Sequence, residues 1–192
     1  MTADLTCLAK AVAGGLPGAA LVGRADLLDA ITLKGDAKRD RTQRVADQGT
    51  FSGTPLIAAA GVAALEILKT GQVQRELNRL GDRLRGAMNA VLKTRGVPGC
   101  VYGASSIFRI FLGASAEELG IPTYRMDATR LDRGMGPVGG TLHLAMLLNG
   151  VDYSRGASHG WMNGAMSEKD VDMVIDAFDR SLVRLRAEKR LA

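Results

Sequence analysis

A single lysine in an otherwise uncharged segment is the first feature that could do chemistry. Lys10 is the only charged residue between Leu5 and Gly23. A charge that merely solvates a surface has little reason to stand alone in such a segment. A primary amine can condense with an aldehyde to form a Schiff base and can later act as a general base. A lysine with that role should sit in a partly desolvated pocket, and the alternative is an ordinary solvated surface lysine.

Glycine-bearing turns form the second feature. Gly14 and Gly15 follow the lysine and would let the backbone turn close to a ligand, although alone they also fit an ordinary turn. Further along, Gly49-Thr50 precedes a helix start at Thr54-Pro55. Free backbone N–H groups and hydroxyls ahead of a helix N-terminus attract phosphate. The alternative is a simple helix cap, which is the favoured interpretation for Ser52 and Thr54.

Taken together, the segments Asp4 to Pro17 and Gln48 to Leu56 resemble the class-III pyridoxal-phosphate-dependent aminotransferases, near the glutamate-semialdehyde aminomutases. The second segment is similar to the Gly-Thr-x-x-Gly-x-Pro motif of that family. The resemblance implies that pyridoxal 5'-phosphate is the cofactor and that Lys10 is the catalytic lysine bound to it. It also implies that Gly49 and Thr50 bind the phosphate of the cofactor held by the partner subunit, and hence a homodimer.

Looser matches occur in the second half of the chain. Ser105 to Phe111 and Ser158 to Ser167 are similar to the small C-terminal domain of the same family. Arg109 could bind a substrate carboxylate through its planar guanidinium, or it could be a solvated strand residue. His159 could approach the mouth of the active site, or it could be an ordinary loop histidine. Three aromatic residues are expected in the core or at a domain interface: Tyr124, Tyr153 and Trp161.

The expected fold class is α/β, as the C-terminal part of a fold-type I pyridoxal-phosphate-dependent transferase. Residues 1–70 would be the trailing part of the large cofactor-binding domain, 71–98 a connecting amphipathic helix, and 99–192 a small α+β domain. The first residues, Asp4 to Val12, are expected to form a short helix, and Ala19 to Val22 a buried strand. Lys34 to Gln48 is expected to be an exposed or ligand-facing loop.

Apolar spacing carries the remaining predictions of secondary structure. The pattern predicts a largely buried helix from Pro55 to Lys69, an amphipathic helix over Gln72 to Thr94, and a strand from Ile107. Leu142 to Leu148 is expected to be helical. Ser167 opens a capping box, after which one apolar face is predicted for the last helix: Val171, Val174, Ile175, Phe178, Leu182 and Leu185.

The resemblance covers only about the C-terminal half of a class-III enzyme. In that family the front half supplies an acid for the pyridine nitrogen, an aromatic residue stacked on the ring and a first phosphate loop, and no residue here matches those motifs. The expected function is amino transfer, or amino-group migration, on a small amino or carbonyl compound by an incomplete portion of the enzyme. The alternative is a non-catalytic remnant or a complementing subunit with an oligomerisation role. In either case a complementary N-terminal polypeptide is a candidate partner.

Composition narrows the remaining classes. The 192 residues carry a net charge of +5 with 4% aromatics, and without a binding motif no nucleic-acid partner is expected. Cys7 and Cys100 have no clustering typical of disulfides, and two histidines offer no metal-ligand spacing, so no metal site is expected. No apolar run is long and regular enough to span a membrane. An acid stands where a secretion signal needs basic residues, so a cytoplasmic location is expected.

Overall fold

The chain forms two compact units, Met1–Gly71 and Gln72–Ala192. A computed structural model describes residues 2–46, 49–121, 126–154 and 158–191. The first unit contains a two-stranded sheet and the second a three-stranded sheet. The helix that the sequence suggested as a connector packs within the second unit, against that unit's last helix and its first strand.

A β-hairpin opens the first unit. Strand β1 (Leu5–Ala9) pairs antiparallel with β2 (Ala19–Gly23), so that Leu5 lies opposite Gly23 and Ala9 opposite Ala19. A 3-10 turn (Lys10–Ala13) follows β1 directly. The strand predicted at Ala19 to Val22 is confirmed, but its predicted burial is wrong, since Leu21 is 42% and Val22 45% exposed. The helix predicted over Asp4 to Val12 is wrong, because pairing with β2 satisfies the backbone of this segment where helical bonds would have done so.

Short helices fill the middle of the first unit. Helix α1 (Ala25–Leu28) continues into a 3-10 turn (Asp29–Ile31), which agrees with the helical spacing of that segment. The loop predicted over Lys34 to Gln48 is partly wrong, because it contains helix α2 (Ala37–Thr42). The Asp36 carboxylate caps α2 by accepting bonds of 2.9 Å from the N–H groups of Lys38 and Arg39. Polar bonds hold this segment, which is why apolar spacing did not reveal it.

Helix α3 (Pro55–Leu68) begins where Thr54-Pro55 predicts. The predicted burial is wrong, since Gly61 is its only buried residue. Three large apolar side chains are strongly exposed: Leu56 is 70%, Val62 60% and Ile67 63% accessible. Within the first unit, α3 packs mainly on the 3-10 turn that begins at Lys10. The sequence encodes an apolar helix, but the described part of this unit covers only one side of it.

The second unit is a sheet with helices packed on it. Its strands β3 (Gly99–Tyr102), β4 (Ile107–Leu112) and β5 (His159–Trp161) are antiparallel in that order. Its helices are α4 (Gln72–Arg95), α5 (Ala128–Arg133), α6 (Pro137–Leu148) and α7 (Glu168–Ala187). The amphipathic helix, the strand from Ile107 and the capping box at Ser167 are confirmed.

The main core of the second unit lies between one sheet face and helices α4, α6 and α7. Phe178, Leu182 and Leu185 of α7 are at most 1% exposed, as the predicted apolar face requires. Asn89 joins α4 to β3 through both the N–H and the carbonyl of Val101. A bidentate pair of Arg95 with Asp179 joins α4 to α7 at 2.5 and 2.6 Å. These polar links fix the sheet and the two long helices around the apolar core.

The described residues contain neither a cluster suited to a metal ion nor a single helix suited to span a membrane. No group of three or more His, Cys, Asp or Glu side chains there could hold a metal ion. Among the same residues, no single helix is long and apolar enough to cross a membrane. Helices α3 and α4 reach that length and apolar composition only when they are taken together.

Candidate functional site

Lys10 occupies an unusual backbone position at the end of β1. It is the first residue of the 3-10 turn, and its φ of 59° lies in the left-handed region. A residue with a side chain pays about 1–3 kcal/mol for such a conformation. Its side chain is exposed in the first unit, so the predicted desolvated pocket is not formed by this unit alone. Strain of this kind at a chemically competent residue favours a functional over a purely solvating role.

Small residues press the turn that carries Lys10 onto helix α3. A Cβ added to Gly14 would lie 2.7 Å from the carbonyl oxygen of Ala60, and the φ of Gly14 is 63°. A Cβ on Gly18 would lie 2.5 Å from Cγ2 of Ile57. Ala13, directly before Gly14, is 4% exposed. The glycines therefore permit a close backbone approach of the lysine-bearing turn to α3, and the approach to a ligand expected for Gly14 stays a prediction.

The turn before α3 leaves hydrogen-bonding groups unused. The Ser52 N–H donates to the carbonyl of Gly49 at 3.0 Å, and the Thr54 hydroxyl donates to the carbonyl of Phe51 at 2.9 Å. Within the described ranges the Thr50 hydroxyl has no hydrogen-bond partner. A Cβ on Gly49 would lie 2.8 Å from Oγ of Ser52. At Gly49 the turn would have to move only the Ser52 hydroxyl to admit a side chain, and at Thr50 it offers a hydroxyl without a partner among the described residues.

A cleft of about 830 Å³ in the first unit brings the two predicted motifs close together. Gly49 and Thr50 line one side, and the strand residues Cys7 to Ala9 and Ala19 to Leu21 line the other. Lys10 follows Ala9 directly in the chain, but it is not itself a lining residue. A phosphate fits the Thr50 hydroxyl and the start of α3, and the Lys10 amine fits the aldehyde of the expected cofactor. The residues present therefore fit pyridoxal phosphate in part, since the chain carries one amine for its aldehyde and one turn for a phosphate.

The other candidates belong to the second unit. Arg109 is exposed on β4 and lines a separate cleft. His159 is half-buried on β5, with a buried Nδ1 that has no partner among the described residues. Tyr153 is a core residue, as predicted, and burial raises the pKa of its hydroxyl. Trp161 is 58% exposed and contacts His159 edge-on, so it is not a core residue of this unit. Tyr124 lies outside the described residues.

Some features escaped the sequence analysis. The left-handed conformation of Lys10 gives no signal in residue types, since glycine or asparagine usually marks such positions. Arg133 lines the same cleft as Arg109, but an arginine at the end of a short polar helix carries no recognisable spacing. Strand β3 was missed because only three β-favouring residues follow Gly99. For Arg133 no sequence signal would have been sufficient.

Comparison with known proteins identifies the family. The family model of the class-III aminotransferases matches residues 1–119. The chain therefore belongs to the class-III aminotransferases, a family of pyridoxal-phosphate-dependent enzymes. The matched region includes Lys10, Gly49 and Thr50.

Individual relatives agree with this assignment. The glutamate-1-semialdehyde 2,1-aminomutase of Methanosarcina acetivorans is 31% identical over 182 residues, which is 93% of this chain and 38% of that protein. The corresponding enzyme of Opitutus terrae is 42% identical over 111 residues, 58% of this chain and 24% of its own length. An omega-transaminase from Sphaerobacter thermophilus is 29% identical, with a TM-score of 0.74 over 96% of this chain and 39% of its own. The predicted fold, a C-terminal part of a fold-type I enzyme, is confirmed. The match spans about two fifths of the first and third of these relatives and about a quarter of the second.

Proposed function

We propose that this chain supplies the lysine-bearing part of a pyridoxal-phosphate enzyme that transfers or migrates an amino group on a small amino or carbonyl compound. The observation that carries the proposal is the backbone of Lys10, held at a φ of 59° at the start of the turn that Gly14 packs onto α3. A purely solvating lysine gains nothing from that conformation. The glutamate-1-semialdehyde aminomutases and transaminases among its relatives catalyse reactions of these two kinds, intramolecular and intermolecular.

Lys10 has two tasks in this proposal. Its amine holds the cofactor covalently, and once released it moves a proton at the α-carbon of the substrate. When bound, pyridoxal phosphate supplies an electron sink for the electron pair left at that carbon. The pairing of β1 with β2 holds the backbone up to Ala9, directly before the lysine. The close approach of Gly14 to Ala60 holds the backbone at the end of the lysine-bearing turn. Rigid placement of the amine is what makes proton transfer efficient.

The start of α3 holds the phosphate in this proposal. The Thr50 hydroxyl and the N–H groups of the turn would donate to phosphate oxygens, and the dipole of the 14-residue helix adds to their effect. A hydrogen bond to a charged group contributes about 1.5–3 kcal/mol. The free donors at Thr50 support this role. Whether the phosphate belongs to the same subunit or to a partner's cofactor is part of the proposal: by analogy with the family we assign it to the partner in a homodimer.

The first unit also needs a covering polypeptide. Leu56, Val62 and Ile67 on α3 are 60–70% exposed, and both strands of the hairpin have exposed residues along their length. Large exposed apolar groups on one helix are typical of an interface. We propose that a polypeptide equivalent to the remaining part of a class-III enzyme covers them. That polypeptide would also complete the cofactor site and desolvate Lys10.

Co-expression tests the proposal. The chain is produced with the N-terminal part of the Methanosarcina acetivorans aminomutase that precedes the matched region, and the purified complex is assayed for retained pyridoxal phosphate and for amino transfer or migration. We expect a stable complex that retains the cofactor and loses activity with Lys10→Ala. The matched control is Lys69→Ala, since Lys69 is an exposed lysine of the same unit at the end of α3. A complex that binds the cofactor and remains equally active with Lys10→Ala would refute the assignment.

A further inference from the structure

The second unit presents a row of polar side chains on the sheet face that points away from its main core. Arg109 of β4 lies opposite Tyr102 of β3 on one side and opposite His159 of β5 on the other. Directly opposed residues share a face, with Cβ atoms about 4.5–5.5 Å apart. The neighbours of Arg109 along β4, Phe108 and Ile110, belong to the main core on the opposite face. The row therefore crosses all three strands on the second face.

One end of this face is covered and the other is open. At the covered end, Cys100 and Phe111 pack with Leu119 in a second apolar cluster. At the open end, Arg109 is exposed and Trp161 is 58% exposed. A cleft of about 560 Å³ lies at this boundary. It is lined by Tyr102 and Arg109 from the sheet and by the segment Leu131 to Pro137.

Two arginines line the cleft without acidic partners. Neither Arg109 nor Arg133 forms an ion pair or a side-chain hydrogen bond among the residues that the structure describes. Other arginines of the same unit do have carboxylate partners: Arg79, Arg83, Arg85, Arg95, Arg180 and Arg184. Asp132 also lines the cleft, yet it pairs with neither arginine. Two guanidiniums that line one concavity, and that have no acidic partner among the described residues, indicate a place for an external anion.

A further donor lines the cleft. The Tyr102 hydroxyl can donate, whereas His159, opposite Arg109 in the sheet, is not among the lining residues. Ser158 lines the cleft with a left-handed φ of 47°, a conformation that costs a residue with a side chain some stability. The planar fork of an arginine matches the oxygens of a carboxylate or a phosphate and can bind them in a bidentate manner. The donors thus suit an oxyanion better than a neutral ligand.

We infer that this cleft of the second unit binds an oxyanionic small molecule, a carboxylate or a phosphate compound, through Arg109 and Arg133. The site is built from the second unit alone and is separate from the residues assigned to pyridoxal phosphate. Its occupation needs neither Lys10 nor the cofactor. Arg109 and Arg133 bind the anionic group, and the Tyr102 hydroxyl donates to it from the neighbouring strand.

Equilibrium dialysis of the full chain tests the inference. Radiolabelled succinate and radiolabelled inorganic phosphate are the two charged probes, and succinamide, the neutral analogue of succinate, is the matched uncharged probe. All are measured at constant ionic strength, because surface attraction is screened by salt. We expect saturable binding of succinate, of phosphate or of both, and the preferred probe decides between the two oxyanion classes. We expect no saturable binding of succinamide.

Matched variants separate a site from general attraction to a basic protein. Arg109→Gln combined with Arg133→Gln should weaken binding of the charged probe at least about tenfold, because both charge-assisted anchors are lost. Arg180→Gln combined with Arg184→Gln removes the same charge from exposed positions of α7 and should leave binding unchanged. If the first double variant does not fold, Arg109→Lys provides the test: it keeps the charge and loses the fork, and binding should weaken.

Three results would overturn the inference. The first is the absence of saturable binding of both charged probes. The second is equal weakening by the two double variants, which would mean that net charge alone attracts the anion. The third is unchanged binding in Arg109→Lys together with unchanged binding in Arg133→Gln. A Lys10→Ala chain should bind the probes as the unchanged protein does, so the outcome is independent of the proposed enzymatic function.

Discussion

Replacing Gly14 by alanine tests how the lysine-bearing turn is held. Gly14 combines two demands: a left-handed φ of 63° and a close approach, since an added Cβ would lie 2.7 Å from the carbonyl oxygen of Ala60. Two neighbours separate these demands. Gly15 has a φ of 91° with nothing within 4 Å of its added Cβ, and Gly18 has a contact of 2.5 Å with Cγ2 of Ile57 without a left-handed φ.

The magnitude follows from the two costs. A left-handed alanine costs about 1–2 kcal/mol, and an overpacked contact costs about 1–3 kcal/mol. Gly14→Ala should therefore destabilise the packing of the turn on α3 by about 2–5 kcal/mol, more than Gly15→Ala or Gly18→Ala. The loss of chain entropy in the unfolded state offsets each change by about 0.4–1 kcal/mol, equally for all three. The order of the variants is thus better determined than any single value.

Hydrogen exchange followed by mass spectrometry measures the effect. Peptides from α3 should exchange faster in Gly14→Ala, by about tenfold for each 1.4 kcal/mol, while peptides from α4 and α7 in the second unit serve as the internal reference. Gly15→Ala should show a smaller change in the same peptides. Equal exchange of α3 in Gly14→Ala and Gly15→Ala would refute the reasoning, because the contact with Ala60 would then add nothing.

Three further predictions concern ionisation, thiol reactivity and phosphate binding. A hydrogen bond from Arg95 lowers the pKa of Asp179. The pair therefore stabilises the second unit above the unfolded pKa of about 3.9, and this contribution is lost as the pH falls through the lower folded pKa. Urea titrations near neutral and acidic pH should show this loss of stability, and the Asp179→Asn variant should not show it. Burial raises the pKa of the Cys100 thiol to about 11, so iodoacetamide should modify the exposed Cys7 first, as peptide mass spectrometry would show, and equal rates would contradict the burial of Cys100. In the co-expressed complex, Thr50→Val should weaken pyridoxal-phosphate affinity about 10- to 150-fold, because one charge-assisted hydrogen bond contributes about 1.5–3 kcal/mol. The control is an exposed threonine of α4 changed to valine. An unchanged dissociation constant would mean that the turn is only a helix cap.

The long helices of the second unit were predictable because their own residues determine them. Helices α4 and α7 carry apolar side chains at steps of three and four, and each finds its partner inside the same unit. The Ser167 capping box likewise depends on residues only three positions apart. Local periodicity and local capping thus determined these elements, and the structure agrees with both.

The first unit was harder to predict because its structure depends on non-local contacts. Leu5 to Ala9 forms a strand through pairing with residues of β2 that lie 10 to 18 positions further along the chain, and nothing in its own pattern excludes a helix. The apolar sequence of α3 predicted burial, yet only the turn after β1 covers it within this unit. Helix α2 rests on the Asp36 cap and has no apolar stripe. Elements whose partners lie elsewhere cannot be read from their own spacing.

The residues of the candidate site could be proposed from residue types, but their geometry could not be predicted from the sequence. Lys10, Gly49 and Thr50 were proposed from two short motifs, and the family match over residues 1–119 includes all three. The left-handed backbone of Lys10 and the presence of Arg109 and Arg133 in the lining of one cleft are properties of the folded chain. Neither has a signature in local spacing, because each depends on how distant segments pack.

Borohydride reduction after incubation with pyridoxal phosphate tests the central claim most directly. The complex of this chain with the complementary N-terminal polypeptide is reduced and digested, and mass spectrometry locates the pyridoxyl group among the lysines. The account predicts a single dominant label on Lys10, together with loss of that label and of the visible absorption band in Lys10→Ala. A label spread over exposed lysines such as Lys34 and Lys69, or an unchanged band in Lys10→Ala, would contradict it.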